Sequence, residues 1–324
     1  MTPRFATRLN SFASRAAAFW PDGRKPGVAD LIARAATVPG LTDIDLNYPD
    51  HAFAPPAAIA ARVADLGLGI NGYAMRYYTN PAFKLGAFSN PDPAVRREAI
   101  DLTKAGIDAA RAAGSDLMTI WLGQDGFDYA FQLDYAQAWG DVVAGLAEVA
   151  AHDRGCRISV EYKPDEPRAR ALLPDCATTL LALREAGAAN LGVTLDFAHV
   201  LYAGEQPACA AMLIARQSRL MGVHLNDGYG ARDDGLMVAS VHPRETLELL
   251  MQIARDGYDG AIYFDTFPDA SGLDPVAECA ANIATVTRLW QAADLLAADN
   301  RLSAAIAAQD AVASQRIVNA ALFR

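Results

Sequence analysis

Apolar positions along this chain recur with two periods that alternate from end to end. Short apolar runs, often β-branched, lie near residues 4–11, 42–48, 68–76, 115–122, 157–163, 191–197, 220–226 and 260–266 and read as strands. Between them, Ala/Leu-rich stretches with apolar spacing of three and four read as helices, near 27–38, 55–66, 93–114, 134–153, 176–187, 207–219, 243–256 and 274–297. Several begin after Asp or Pro and end at Gly. The first runs from just after Pro26 to Gly40, and the fifth stops at Gly187. Eight β and eight α elements in alternation predict an α/β fold, a (β/α)8 TIM barrel over residues 1–298. A doubly wound open sheet is the alternative, but the text after the first strand, LNSFASRAAAF, contains no GxGxxG. No Pro/Gly/Ser linker divides the chain, so a single catalytic domain is expected. Residues 300–322 predict one further helix, within a C-terminal extension over 299–324. Its Leu302, Ile306, Val312, Ile317 and Leu322 would cover the barrel's outside or a neighbouring subunit, the latter giving a homodimer or homotetramer.

Bulk composition narrows the class. The 324 residues are 52% hydrophobic, enough for one large core, and the net charge of −10 leaves no basic patch suited to nucleic acid. Cys156, Cys176, Cys209 and Cys279 form no CxxC pair and sit in or beside apolar segments, which predicts four reduced, buried thiols. With no apolar signal region in MTPRFATRLNSFASR and no run approaching ~20 apolar residues, a cytoplasmic protein without a membrane span is expected.

The chemistry gathers at strand ends, where barrel enzymes keep their active sites. Glu161 in RISVEYKP, Asp196 in LGVTLDFAHV, His224 in LMGVHLND and Asp265 in AIYFDTFP each close an apolar run. If the strands are parallel neighbours in one closed sheet, two or three carboxylates and an imidazole converge, the ligand set of a divalent cation such as Mn²⁺ or Mg²⁺. Any one of them alone is as well explained as a turn or cap residue; four in consecutive strands are not. Lys163 leaves its strand on the same face as Glu161, placed to hydrogen-bond a substrate oxygen or to move a proton. Asp196-x-x-His199 puts His199 about one turn further, near that ion. Other polar strand ends are Arg8 and Asn10; Asn47, Asp50 and His51; Asn71 and Arg76; Trp121 and Gln124; Asn226 and Asp227. Among these, Arg8, Asn10, His51, Trp121 and Asn226 are the candidate substrate-binding residues. Trp121, Phe264 and Tyr73 would offer an apolar wall to a sugar face. No GxG phosphate nest follows the seventh or eighth strand, which favours an unphosphorylated substrate.

The phrases EYKPDEP, LDFAHVLYAGE, GVHLND with RDDGLMVAS, and YFDTFP resemble the xylose-isomerase-like barrels, and the order Glu, Asp, His, Asp is closest to bacterial L-rhamnose isomerases. The resemblance implies one metal on Glu161, Asp196, His224 and Asp265, with Lys163 against a substrate oxygen. It implies a second metal on His199 and two acids of a DxD. Here Asp233 matches the first acid, but Gly235 stands in place of the second, leaving Asp227 or Asp234 as substitutes or a single-metal enzyme. The catalytic candidates are thus Lys163, His199, Asp233 and Asp227. The reading is an aldose–ketose isomerase using Mn²⁺, Mg²⁺ or Co²⁺ on a free monosaccharide. Its alternatives are a one-metal epimerase or keto-glycoside lyase working through an enediolate, and a non-catalytic sugar-binding barrel. Related ketose 3-epimerases carry Glu at the first and last ligand positions; the shorter Asp265 departs from that pattern.

Overall fold

A computed structural model describes residues 3–323. Eight parallel strands form its centre: β1 (Phe5–Thr7), β2 (Asp43–Tyr48), β3 (Gly69–Met75), β4 (Leu117–Trp121), β5 (Arg157–Glu161), β6 (Leu191–Asp196), β7 (Leu220–Leu225) and β8 (Ile262–Phe264). From β2 to β8 each pairs with its sequence neighbour, and β8 pairs with β1. Between β1 and β2 the ring closes through a parallel bridge of Arg8 with Asp45 and a 3.1 Å bond from the Thr42 amide to the Phe5 carbonyl. This is the barrel that the alternation of apolar periods predicts, and the strands are buried almost throughout, as parallel strands under helices must be.

The helices form where expected because their ends carry the right chemistry. Asp92, Asp134, Asp175 and Asp274 each accept an amide bond from the first turn of the helix that follows. Gly187 ends its helix at φ +68°, a conformation that costs glycine little. Ile107, Val142, Leu146, Ile214, Leu250 and Val286 from the helices meet Ile44, Ile120, Val160 and Val193 from the strands, all fully buried. This layer holds the strand ends in register. Inside the barrel, Ser159 and Thr194 share a 2.6 Å hydrogen bond two residues below Glu161 and Asp196. A Cβ at Gly222 would meet the Thr194 hydroxyl at 2.5 Å, so β7 needs glycine at that level.

Three expectations are corrected, the length of the first strand, the single C-terminal helix and the burial of Cys209, and further short elements are added. The first strand stops at Thr7, and Leu9–Ala13 coils into a 3-10 turn that buries Leu9 and Phe12; the buried Arg34 guanidinium secures it by donating to the Phe12 and Ser14 carbonyls. The C-terminal segment is two helices, Asn300–Ala307 and Ala311–Leu322. The chain breaks at Gln309, with φ +54°, and Asp310 caps the second helix through the Ala313 amide. Leu302 is buried, and Ile317, Val318 and Leu322 pack on the barrel's own helices, whereas Ile306 and Val312 stay exposed. A short helix, Phe197–Tyr202, begins directly at the end of β6, and Gly126–Phe127 pairs antiparallel with Arg170–Ala171 above the barrel. Cys209 lies exposed near the start of helix Pro207–Gln217, while the other three cysteines are buried; all four are free. Among the described residues, no helix is long and apolar enough to cross a membrane.

Candidate metal centre at the carboxyl ends of the strands

Glu161 ends β5, Asp196 ends β6, His224 sits one residue before the end of β7, and Asp265 follows β8. Asp196 and His224 are register partners, and the Asp265 amide donates to the Leu225 carbonyl at 3.2 Å. One ligand atom from each of the four lies within 4.8 Å of the others. The His224 Nδ1 is 3.4 Å from Glu161 Oε1 and 4.0 Å from Asp196 Oδ2. Yet this buried nitrogen makes no well-directed hydrogen bond. An imidazole nitrogen aimed among three carboxylates without a well-directed hydrogen bond fits a cation at their centre, and oxygen-rich ligation with one imidazole suits Mn²⁺ or Mg²⁺.

Electrostatics point the same way. Burial raises Asp196 to about 7, with Asp233, Glu161 and Asp265 adding to the effect against His199. Burial opposes charge on His224, but Glu161, then Asp265 and Asp196, raise it to about 9. Crowded carboxylates of this kind are relieved by positive charge, whether a proton or a metal ion.

Asn226 holds the cluster from beneath. Fully buried, it donates from Nδ2 to both Asp196 carboxylate oxygens, at 3.2 and 3.1 Å, and to the Asp265 carbonyl at 3.2 Å; its Oδ1 accepts the Ala198 amide at 2.8 Å. Its polar atoms face the ligands, and it does not line the cavity where a substrate would sit. Asp227 is likewise fully buried and outside the cavity. It accepts bonds from the Gly228, Val241 and His242 amides and pairs with the His242 ring, closing the loop after β7. His51 and Asn10 also lie outside. The Asn47 amide donates to His51 Nδ1 at 3.0 Å, and His51 Nε2 contacts Asn10 Oδ1 at 2.7 Å. Burial, then repulsion from Arg76 and Arg8, lowers His51 to about 3, so its imidazole is neutral.

Above the cluster opens a cavity of about 470 Å³. Lys163 projects into it, with Nζ 3.1 Å from Asp233 Oδ2 and 2.9 Å from Glu166 Oε2, over the Trp121 ring. Burial opposes its charge, but Asp233 and Glu166 outweigh that and raise its pKa. His199 Nδ1 donates to the Tyr162 carbonyl, and its Nε2 lies 3.0 Å from Asp233 Oδ2. Arg8 also lines the cavity, tied to Asp269 at 2.8 Å and stacked over Phe267. Of the proposed aromatic wall, Trp121 lines the cavity, whereas Phe264 and Tyr73 belong to the core. Tyr263 takes that place instead, its ring 4.3 Å from the His224 ring, because it is the register partner of His224 and so shares its face. Strand parity was the available signal for Tyr263. No local signal marked Glu166 or Phe267, which loops bring in.

The position of the missing acid is shaped by packing. Gly235 has φ +57°, and a Cβ there would lie 2.2 Å from the Phe267 ring. Asp234 turns to Arg232 at 2.7 Å and to the Tyr229 amide at 2.8 Å. Neither Asp234 nor Asp227 therefore joins His199 and Asp233.

Comparison with known proteins agrees with this architecture. A family model described as xylose isomerase-like TIM barrel matches residues 32–286. The xylose isomerase of Thermus thermophilus is 27% identical over 207 residues, covering 62% of this chain and 54% of that enzyme. A probable sugar isomerase of Rhizobium meliloti is 25% identical over 295 residues, covering 86% of this chain and 67% of that protein. The chain thus matches about half the length of the first relative and two thirds of the second. A solved L-ribulose 3-epimerase shares the fold, with a TM-score of 0.68 at 18% identity over 93% of this chain and 99% of that one. The closed ring of eight parallel strands and a family match spanning most of its length lead to one assignment: this chain belongs to the xylose isomerase-like TIM barrel family.

Proposed function

We propose that this protein is a divalent-metal-dependent aldose–ketose isomerase of an unphosphorylated monosaccharide. The observation that carries the reading is the four-residue cluster Glu161, Asp196, His224 and Asp265, with an imidazole nitrogen that makes no well-directed hydrogen bond, directly beneath the cavity that holds Lys163. These four residues would hold the ion, Mn²⁺ foremost, with Mg²⁺ or Co²⁺ as substitutes. When bound, such an ion supplies positive charge to the adjacent carbonyl and hydroxyl oxygens of the sugar as negative charge develops there. Lys163, kept cationic by Asp233 and Glu166, donates a hydrogen bond to the sugar carbonyl oxygen rather than taking up a proton. Trp121 covers an apolar sugar face and shields the reacting carbons from water.

Gly235 supports a second reading, a one-metal epimerase passing a proton through an enediolate, because the second acid of a two-metal site is missing. The short Asp265 weighs against it, since a longer Glu reaches the substrate carbon more readily as a base. Product analysis separates the two: movement of the carbonyl between C1 and C2 supports isomerisation, and inversion at C3 supports epimerisation. Metal analysis after equilibration with Mn²⁺ and desalting should find one ion per chain, lost together with activity in His224→Ala. Full metal content and activity in that variant would refute the ligand assignment.

A further inference from the structure

The charges lining the cavity are paired with one exception. Arg8 is held by Asp269 and lies near Asp265, and Lys163 is held by Asp233 and Glu166. Arg76, just past the end of β3, also lines the cavity, and among the described residues no carboxylate lies within 4.0 Å of its guanidinium. Its Nη1 donates to the Tyr78 hydroxyl at 2.7 Å, and the guanidinium stacks over the Tyr78 ring, which in turn packs edge-on against Trp121. Nη2 makes no hydrogen bond to the protein, and Nε is buried with none. Nη2, which is not sealed from solvent as Nε is, is thus the donor left to a ligand in the cavity, and a carboxylate is the acceptor that matches a guanidinium charge. A half-buried guanidinium with no carboxylate beside it gains most from a ligand that brings an anionic acceptor. The aromatic shelf of Tyr78 and Trp121 connects Arg76 to Lys163 across the cavity wall, so a molecule lying along it would reach both.

We infer that Arg76 receives a carboxylate at the far end of the substrate, and that the substrate is therefore a sugar acid rather than a neutral sugar. This deepens the isomerase reading and rests on it for the sugar. One unmatched guanidinium suits a single negative charge better than a phosphate dianion, and the sequence after β7 and β8 offers no glycine-rich amide nest for phosphate. The neutral-sugar alternative would leave the unmatched charge of Arg76 facing hydroxyl groups alone.

The test is calorimetric binding to the Mn²⁺-loaded full chain of three hexuronates (glucuronate, galacturonate, mannuronate), the three matching neutral hexoses and the three hexose 6-phosphates. At least one uronate should bind roughly 30-fold more tightly than its neutral partner. Arg76→Gln should weaken that uronate about 10- to 100-fold and shift the neutral hexose less than about threefold. Arg76→Lys, which keeps the charge but not the fork, should recover part of the loss, and unchanged melting of both variants shows that folding is not the cause. The inference is overturned if no uronate binds more tightly than its hexose, if Arg76→Gln weakens both alike, or if the phosphates bind most tightly. Metal content and turnover of the same preparation report on the isomerase reading separately: failure there leaves the dependence of uronate binding on Arg76 intact as a measurement.

Discussion

Asn226→Ala should damage the metal centre without touching substrate. The side chain is fully buried and makes four polar contacts, at 2.8 to 3.2 Å, with Asp196, the Asp265 carbonyl and the Ala198 amide. Truncation strands the buried Ala198 N–H, which costs about 1–3 kcal/mol. It also removes the donor shared by the Asp196 oxygens, and bonds to a charged group are worth about 1.5–3 kcal/mol. These terms share partners and do not simply add. A loss of about 3 kcal/mol, or roughly 5 °C in melting temperature for a chain of this size, is expected. Freeing Asp196 from its orienting partner should weaken Mn²⁺ about 10- to 100-fold. Asn226→Asp keeps the shape and the acceptor for Ala198, but sets a carboxyl group against Asp196. It should therefore lose metal affinity with a smaller loss of stability. Thermal melting of metal-free protein and Mn²⁺ isotherms for the wild type and both variants measure the two effects. An Asn226→Ala enzyme with unchanged melting and unchanged Mn²⁺ affinity, but a raised KM, would refute this reasoning and return Asn226 to substrate binding.

Two further outcomes follow from packing and charge. Gly235→Asp should not create a second metal site: φ +57° strains a side chain there, and its Cβ meets the Phe267 ring at 2.2 Å, so a loss of about 3 kcal/mol with one bound ion per chain is expected; two tightly held ions in this variant would contradict that. His51 gives a pH signature. Its folded value of about 3 lies below the ordinary 6.5, so between those values the unfolded chain binds a proton that the folded chain does not, and stability falls as pH drops through 6.5. From pH 7.5 to 5.5 urea unfolding of the wild type should lose roughly 1.4 kcal/mol more than that of His51→Gln; equal losses would show that His51 titrates normally in the folded protein.

The alternation of apolar periods by itself determined the barrel, because parallel strands buried on both faces and helices buried on one leave different spacings in the chain. Strand boundaries such as Asp43–Tyr48 and Leu220–Leu225 fall within a residue or two of the apolar runs, and Glu161, Asp196, His224 and Asp265 were readable as strand ends. Only the tertiary structure decided what the other polar strand ends do, since a strand end fixes where a side chain starts and not where it finds a partner. Asn226 is turned beneath Asp196, Asp227 is spent on the loop amides of Val241 and His242, and His51 is sealed against Asn47 and Asn10. Register set Tyr263 beside His224, where the reading of aromatics near strand ends named Phe264. Glu166 and Phe267 reach the cavity from loops, whose course depends on contacts distant in sequence: Phe267 fills the space beside Gly235, and Glu166 bonds Lys163. The unmatched charge of Arg76 became visible only once the carboxylates lining the cavity, Glu161, Glu166, Asp233 and Asp265, had been assigned to other partners, a property of three-dimensional pairing that no local pattern in the chain encodes.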